Sequence, residues 1–225
     1  MTDKKICAVL LAAGNGSRMK SDVKKQFIEI NELPLFCYSA KVLSQIDEID
    51  RIILVTSTSD IAYVREVIKR HNIQKIYDVV PGGDRRQDSV KNAVDTIPEY
   101  YEHVLIHDSA RPFVKKEDIL NVIRNGVEFN CSFLGVKVKD TIKSIDEKGF
   151  VTSTPDRDFL VSVQTPQVVK LDVIKKGLEQ FHDKTFTDDA GVMEAMGVKT
   201  KITFGSYSNI KITTPDDLKY LKDLI

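Results

Sequence analysis

The first segment whose residue types can do chemistry is Leu10-Leu11-Ala12-Ala13-Gly14-Asn15-Gly16-Ser17-Arg18-Met19, with Lys24-Lys25-Gln26 close behind it. Gly14 and Gly16 carry no Cβ, so successive backbone N–H groups can turn together toward a phosphate. Arg18 and Lys25 add full positive charges, a combination that suits a nucleoside triphosphate. The spacing matches neither the G-x-G-x-x-G dinucleotide fingerprint nor the G-x-x-x-x-G-K-[ST] phosphate loop. A tight strand-to-helix turn would select the same glycines.

A second candidate loop is Pro81-Gly82-Gly83-Asp84-Arg85-Arg86-Gln87-Asp88-Ser89. Its glycines let a planar base or a ribose lie against the backbone, and Asp84 and Ser89 offer polar contacts, although a turn with an N-cap accounts for these residues nearly as well. The third is His107-Asp108-Ser109-Ala110-Arg111-Pro112, where an apolar run stops on ionised groups that need a partner, a ligand or a cation. An Asp108–Arg111 ion pair is the plain alternative. A Ser-His-Asp relay of Ser109, His107 and Asp108 is not expected from residues so close on an extended segment.

Late in the chain come Gln164-Thr165-Pro166-Gln167, Thr187-Asp188-Asp189 and Asn209-Ile210-Lys211-Ile212-Thr213. Thr187 can cap a helix with Asp188 and Asp189 in its first turn. Lys211 interrupts an apolar alternation, as a strand lysine facing solvent also would. Asp188, Asp189 and Glu194 are possible metal ligands, but their spacing matches no protein-only cage, so Mg²⁺ is expected to be held largely by substrate phosphates.

The elements that must position these groups are legible in the apolar pattern. Short β-branched runs at Ile6–Leu11, Arg51–Thr56, Ile76–Val80, Val104–Ile106 and Ser132–Val138 predict buried strands. Helix-period stretches lie between them, at Leu35–Leu43, around Ile61–Ile68, at Ser89–Ile97 and around Ile119–Val127, which implies βαβ units on a mostly parallel sheet. Lys139–Ser144 and Phe150–Ser153 flank the turn Asp146-Glu147-Lys148-Gly149, predicting a hairpin arm. Helices near Leu171–Phe181 and after Thr187, strands at Lys201–Phe204 and Asn209–Thr213, and a closing helix bearing Leu218, Leu221 and Ile225 complete the expected single domain.

Composition narrows the partners. The 225 residues carry 33 Lys+Arg against 33 Asp+Glu, net charge +0, so no global field draws nucleic acid or an anionic membrane. With 42% hydrophobic and 29% charged residues the chain is an ordinary globular one. The apolar run Cys7 to Ala13 is too short to span a bilayer and has no secretory cleavage site after it, so a cytoplasmic protein is expected. Cys7, Cys37 and Cys131 form no C-x-x-C pair, which argues against a disulfide framework or a zinc site.

Taken together, the segments resemble the 2-C-methyl-D-erythritol 4-phosphate cytidylyltransferases of the non-mevalonate isoprenoid pathway. The resemblance runs from Ala8 to Leu218 and rests on L-A-A-G-N-G-S-R-M at 11–19 with Lys25-Gln26, G-G-D-R-R-Q-D-S-V at 82–90, H-D-S-A-R-P-F at 107–113, K-D-T-I-K at 139–143, T-P-D-R-D-F-L at 154–160, Q-T-P-Q at 164–167, T-D-D-A at 187–190 and N-I-K-I-T-T-P-D-D-L at 209–218. It implies a Rossmann-like α/β fold of the nucleotide-diphospho-sugar transferase type, and transfer of CMP from CTP to the acceptor phosphate, with Mg²⁺ and release of pyrophosphate. It further implies that Ala12, Ala13, Gly14, Asn15, Gly16, Gly83, Asp84 and Ser89 hold cytosine and ribose, that Arg18, Lys25 and Lys211 grip the triphosphate, and that Asp108, Arg111, Thr165 and Thr187 face the sugar-alcohol phosphate. Thr141 and Arg157, on or beside the Lys139–Arg157 arm, would complete a neighbouring subunit's site in a homodimer.

Two departures stand out. Lys24 occupies the place where the family usually has proline, so the loop should be less restrained. Ser109 sits where glycine is frequent. A ribitol 5-phosphate cytidylyltransferase shares several of the motifs, although Ala12-Ala13 replaces its usual double glycine, and a non-catalytic nucleotide-binding protein is the alternative of another class.

Overall fold

Apolar runs that read as buried on both faces require helices on both sides of a sheet, and the computed structural model has that arrangement; it describes residues 5–14 and 23–224. The predicted phosphate-loop residues Asn15, Gly16 and Arg18 lie outside those residues. In chain order the elements are β1 (Ile6–Leu11), β2 (Glu29–Ile30), β3 (Leu33–Pro34), α1 (Leu35–Ser44), β4 (Ile49–Thr56), α2 (Ile61–Arg70), β5 (Ile76–Pro81), α3 (Arg86–Val94), β6 (His103–Asp108), α4 (Lys116–Phe129), β7 (Cys131–Lys137), β8 (Ser144–Ile145), β9 (Val151–Ser153), β10 (Val161–Lys170), α5 (Leu171–Gln180), α6 (Asp189–Ala195) and β11 (Lys201–Phe204).

The main sheet has the order β11-β7-β10-β6-β1-β4-β5, parallel except for β10, which runs against both of its neighbours. Side chains alternate across it. Ile6, Ala8 and Leu10 of β1 pack with α1, α2 and α4, whereas Cys7 and Val9 pack with α3, α5 and α6. Burial of both faces is why the strand reads as one unbroken apolar run. Helix α4 approaches β10 closely enough that a Cβ at Gly126 would sit 2.4 Å from Val168 Cγ1, so only glycine fits there. The three cysteines are buried free thiols, each pushed up to about 12 by that burial, and so are poor nucleophiles. No described helix is long and apolar enough to cross a membrane.

Three expectations are corrected. Strand β10 is absent from the expected elements, because Gln164, Thr165, Pro166 and Gln167 interrupt its apolar pattern and proline argues against a central strand. The pairing with β7 shifts between Val163 and Gln167, and Pro166 falls in that break, where no ladder donor is needed. The segment Asn209–Thr213 is not a strand; it is an irregular crossing pinned by the Ile212 N–H on the Ala110 carbonyl (2.8 Å) and by the fully buried Ile212 side chain. Finally, the closing helix is a 3₁₀ helix at Pro215–Leu224.

The arm is a short ribbon. Only Ser144–Ile145 and Val151–Ser153 pair, so most of Lys139–Ser144 is irregular. Its turn closes as the residue types predict: Asp146 Oδ1 accepts from the Lys148 and Phe150 N–H groups, and Gly149 takes φ +85°.

Candidate active site

After β1 the chain runs outward to β4 and β5, then returns to β6 on the other side of β1. That reversal opens a crevice at the carboxyl ends of the strands, the place where open α/β sheets bind ligands. A cleft of about 530 Å³ lies there. It collects Ala12, Ala13 and Gly14 from the end of β1, Gly83, Asp84 and Ser89 from the turn into α3, Asp108 from the end of β6, and Lys25 and Lys211 from the flanking segments. Arg111, Thr165 and Thr187 do not line it, nor do Thr141 and Arg157, which belong to the exposed arm region. Arg157 Nη1 donates to the Lys139 carbonyl across the base of the arm (3.1 Å).

The two glycine turns are fastened to the sheet and to each other. The Ala12 N–H donates to Val55 O (2.7 Å) and the Gly82 N–H to Thr56 O (2.8 Å). A Cβ at Gly82 would lie 2.5 Å from Ala13 Cβ, so the close approach of the loops demands glycine. Ser89 Oγ accepts the Gly83 N–H (3.1 Å) and sets the shape of the second turn. At Gly14 an added Cβ would meet nothing within 4 Å among the described residues, so none of them blocks a ligand's approach to the first turn.

The floor of the cleft is a charge network that the motifs did not reveal. Asp108 pairs with Lys211 (Oδ2–Nζ 2.6 Å) and with Arg86 (Oδ1–Nε 3.4 Å). Arg86 also clamps Asp189 through both guanidinium tips, Nη1–Oδ1 2.9 Å and Nη2–Oδ2 2.8 Å. Burial alone would raise the Asp108 carboxyl, but Arg86 and Lys211 outweigh it and hold the group well below the usual carboxylate range. Burial likewise works against the charge on Arg86, which Asp189 and Asp108 more than offset, raising its pKa. Lys25 Nζ donates to Ile212 O (3.1 Å), next to Lys211.

This geometry revises several sequence readings. The Asp108–Arg111 pair gives way to Arg111 Nη1 donating to Asn209 O (2.8 Å). Asp188, not Thr187, caps α6 by accepting the Gly191 N–H (3.0 Å). Of the carboxylates weighed as metal ligands, Asp189 is committed to Arg86 and Glu194 accepts from Thr200 Oγ1 (2.8 Å). Lys24 restrains its segment in another way than proline would, through Asp60 (2.6 Å) and Ser57 Oγ (2.9 Å), with φ at −59°, an angle proline also adopts. Ser57, Thr58, Gln26 and Thr213 also line the cleft. Arg86, Gln26 and Thr213 have a local signal, their places inside the second glycine segment, beside Lys25 and beside Lys211, whereas Ser57 and Thr58 have none.

His107 is fully buried and takes no part in a relay with Ser109. Its Nε2 faces Arg111 O (3.2 Å), which can only accept, so the proton sits on Nε2. Nδ1 therefore accepts from the Thr165 hydroxyl (3.1 Å), whose oxygen in turn accepts the Asp108 N–H (3.0 Å). Burial pushes the imidazole down to about 4. The unfolded chain then binds a proton that the folded chain refuses between the ordinary value near 6.5 and about 4. Stability should accordingly fall as pH drops through that window, by about 3 kcal/mol from this group, and be unaffected by it at higher pH. Urea midpoints at pH 7 and pH 4.5 check this, since His107→Gln should flatten the difference; an equal pH slope in the variant would refute it.

A family model described as 2-C-methyl-D-erythritol 4-phosphate cytidylyltransferase matches residues 6–224. The chain belongs to that family. It is thus a nucleotidyltransferase on an α/β scaffold, as the motifs implied, and the match decides between the methylerythritol and ribitol families. A protein of that name from Clostridium botulinum is 44% identical over 212 residues, covering 93% of each chain, and one from Desulforamulus reducens is 41% identical over 216 residues, covering 95% of this chain and 92% of the relative. The crystal structure of 4-diphosphocytidyl-2C-methyl-D-erythritol synthase from Anaerococcus prevotii superposes with a TM-score of 0.85 at 31% identity, covering 98% of this chain and 96% of that one. The Francisella tularensis 2-C-methyl-D-erythritol 4-phosphate cytidylyltransferase does so with a TM-score of 0.80 at 26% identity, over 99% and 100% of the chains. The cytidylyltransferase site motifs thus sit on a scaffold shared along the whole described chain.

Proposed function

We propose that the cleft transfers CMP from CTP to the phosphate of 2-C-methyl-D-erythritol 4-phosphate. An acceptor phosphate oxygen forms the new bond to the α-phosphorus, the bond from that phosphorus to the β-phosphate oxygen breaks, and pyrophosphate leaves. The observation that carries this is the convergence of two glycine turns with Lys25 and Lys211 at one strand-end crevice. Such a reaction needs positioning and charge stabilisation rather than a side-chain nucleophile.

Ala12, Ala13 and Gly14, with Asn15 and Gly16, would cradle cytosine and ribose opposite Gly83, Asp84 and Ser89. Lys25, Lys211 and Arg18 would neutralise the triphosphate as charge develops. Asp108 aims Lys211, and Arg111, Thr165 and Thr187 would serve the acceptor side, with Thr165 acting through Asp108 and His107. Among the described residues no three His, Cys, Asp or Glu side chains gather as a metal site, and Asp108 is already engaged by two cations. These residues suit a Mg²⁺ ion held mainly by CTP phosphates, which when bound would offset phosphate charge.

Residues 1–225 are read as one catalytic domain whose 139–157 arm serves a homodimer. Phe150 is 70% exposed on that ribbon and Phe159 86% exposed beside it, and an isolated two-stranded ribbon is marginal in water. A second copy of the chain would cover them and bring Thr141 and Arg157 to its site. A cytoplasmic location agrees with the charged substrates.

Pyrophosphate release from CTP and Mg²⁺ should occur with methylerythritol 4-phosphate as acceptor, from a species of two chains by light scattering. Release with ribitol 5-phosphate alone would overturn the acceptor, silence with both would restore the non-catalytic alternative, and a one-chain mass at micromolar concentration would overturn the arm's role.

A further inference from the structure

The segment between α5 and α6 contains Thr187 and has no regular secondary structure from 185 to 188. Its main chain is instead fastened to two side chains at the start of α3, Arg85 and Gln87. Arg85 donates from Nη2 to His182 O (2.8 Å) and from Nη1 to Lys184 O (3.2 Å). Gln87 grips the loop with both ends of its amide, Nε2 donating to Lys184 O (2.8 Å) and Oε1 accepting the Phe186 N–H (3.0 Å). Arg86, between them, holds the carboxylate of Asp189, the first residue of α6, just past the loop. These contacts join positions almost a hundred residues apart.

Gln87 is only 5% exposed, and both polar ends of its amide are spent on the loop, so its role is internal. Arg85 is oriented for the task by Asp88, whose carboxylate accepts from its Nε (2.9 Å), its Nη2 (2.7 Å) and its backbone N–H (3.0 Å). The turn that presents Gly83 and Asp84 to the nucleotide side therefore also fixes the loop that bears Thr187. We propose that Arg85 and Gln87 are positioning residues for the acceptor: they act through the 182–188 loop and hold it in register with the nucleotide turn. This rests on the assignment of Thr187 to the acceptor side.

The test is steady-state kinetics with both substrates varied in Gln87→Met, Arg85→Ala and Thr187→Val, alongside the rate of tryptic cleavage after Lys184, an exposed loop residue, in the absence of substrates. Loss of two hydrogen bonds to the loop in each of the two clamp variants should raise the acceptor KM about tenfold and speed cleavage by a similar factor, while the CTP KM stays within about twofold. Should Gln87→Met fold poorly, Arg85→Ala carries the test, because the Asp88 cap on the Arg85 N–H survives in it. A rise in both KM values together would mark a merely structural role and overturn the proposal, as would unchanged cleavage with an unchanged acceptor KM. If Thr187→Val raises the acceptor KM and the two clamp variants do not, the clamp falls alone. If the clamp variants raise it and Thr187→Val does not, the clamp stands and Thr187 is not the contact.

Discussion

Lys211→Ala is expected to lower kcat for cytidylyl transfer by about 10²–10³-fold, the size found when one preorganised electrostatic donor is removed from a dry site. Lys211 is suited to that role because its ammonium is held at 2.6 Å by Asp108, in the cleft and next to Lys25. A flexible lysine on the surface would have to be ordered during each turnover, whereas this one is aimed in advance. Asp108→Asn should reproduce part of the loss, since it leaves the cation in place but weakens the contact that aims it. Lys211→Arg should recover less than full activity, because a planar fork cannot replace a compact ammonium at the same point. Stopped-flow or steady-state pyrophosphate release reads all three, and wild-type turnover in Lys211→Ala with unchanged CTP affinity would remove Lys211 from the mechanism.

Arg86→Ala is expected to be the most destabilising change in the cleft, by about 3–5 kcal/mol, because it strands buried carboxylates without their cation. Asp189 is almost fully buried and has both oxygens on Arg86, and Asp108 loses one of its two ion-pair partners. For a chain of this size the loss should lower Tm on the order of 10 °C. Adding Asp189→Ala removes one of the stranded charges, so the double variant should be more stable than the sum of the single losses predicts, with a coupling of about 1–3 kcal/mol. Urea titrations of the four proteins close the cycle; strict additivity would show that the pair contributes nothing of its own. The loss should also appear in activity, because Arg86 helps keep Asp108 ionised to hold Lys211.

Strands β1, β5 and β6 and helices α2 and α4 could be read directly, since each is set by an apolar period over a few neighbouring residues and by the turn residues that end it. The glycine turns and the Asp146–Gly149 hairpin turn were legible for the same reason: backbone conformation at glycine and hydrogen bonding by Asp are local properties. Strand β10 was not, because its middle is polar and carries a proline, and only the antiparallel neighbours β6 and β7 make a strand of it. The segment around Lys211 is the opposite case, an alternating pattern that finds no strand to pair with.

The glycine turns, the cations and the order of the motifs were thus enough to place the chain in its family and to point to the two glycine turns, Lys25, Asp108 and Lys211 that the cleft brings together. The commitments of individual charged and polar side chains were not, and they changed what several residues do. Asp189 became the partner of Arg86 rather than a metal ligand, Arg111 bonded a carbonyl rather than Asp108, and Gln87 became a brace for a loop. These pairings join residues up to 103 positions apart. Local periodicity fixes which face of an element is apolar, but which buried charge meets which is settled only when packed helices and strands bring distant residues within hydrogen-bond reach, where the cost of an unpaired buried ion forces the match.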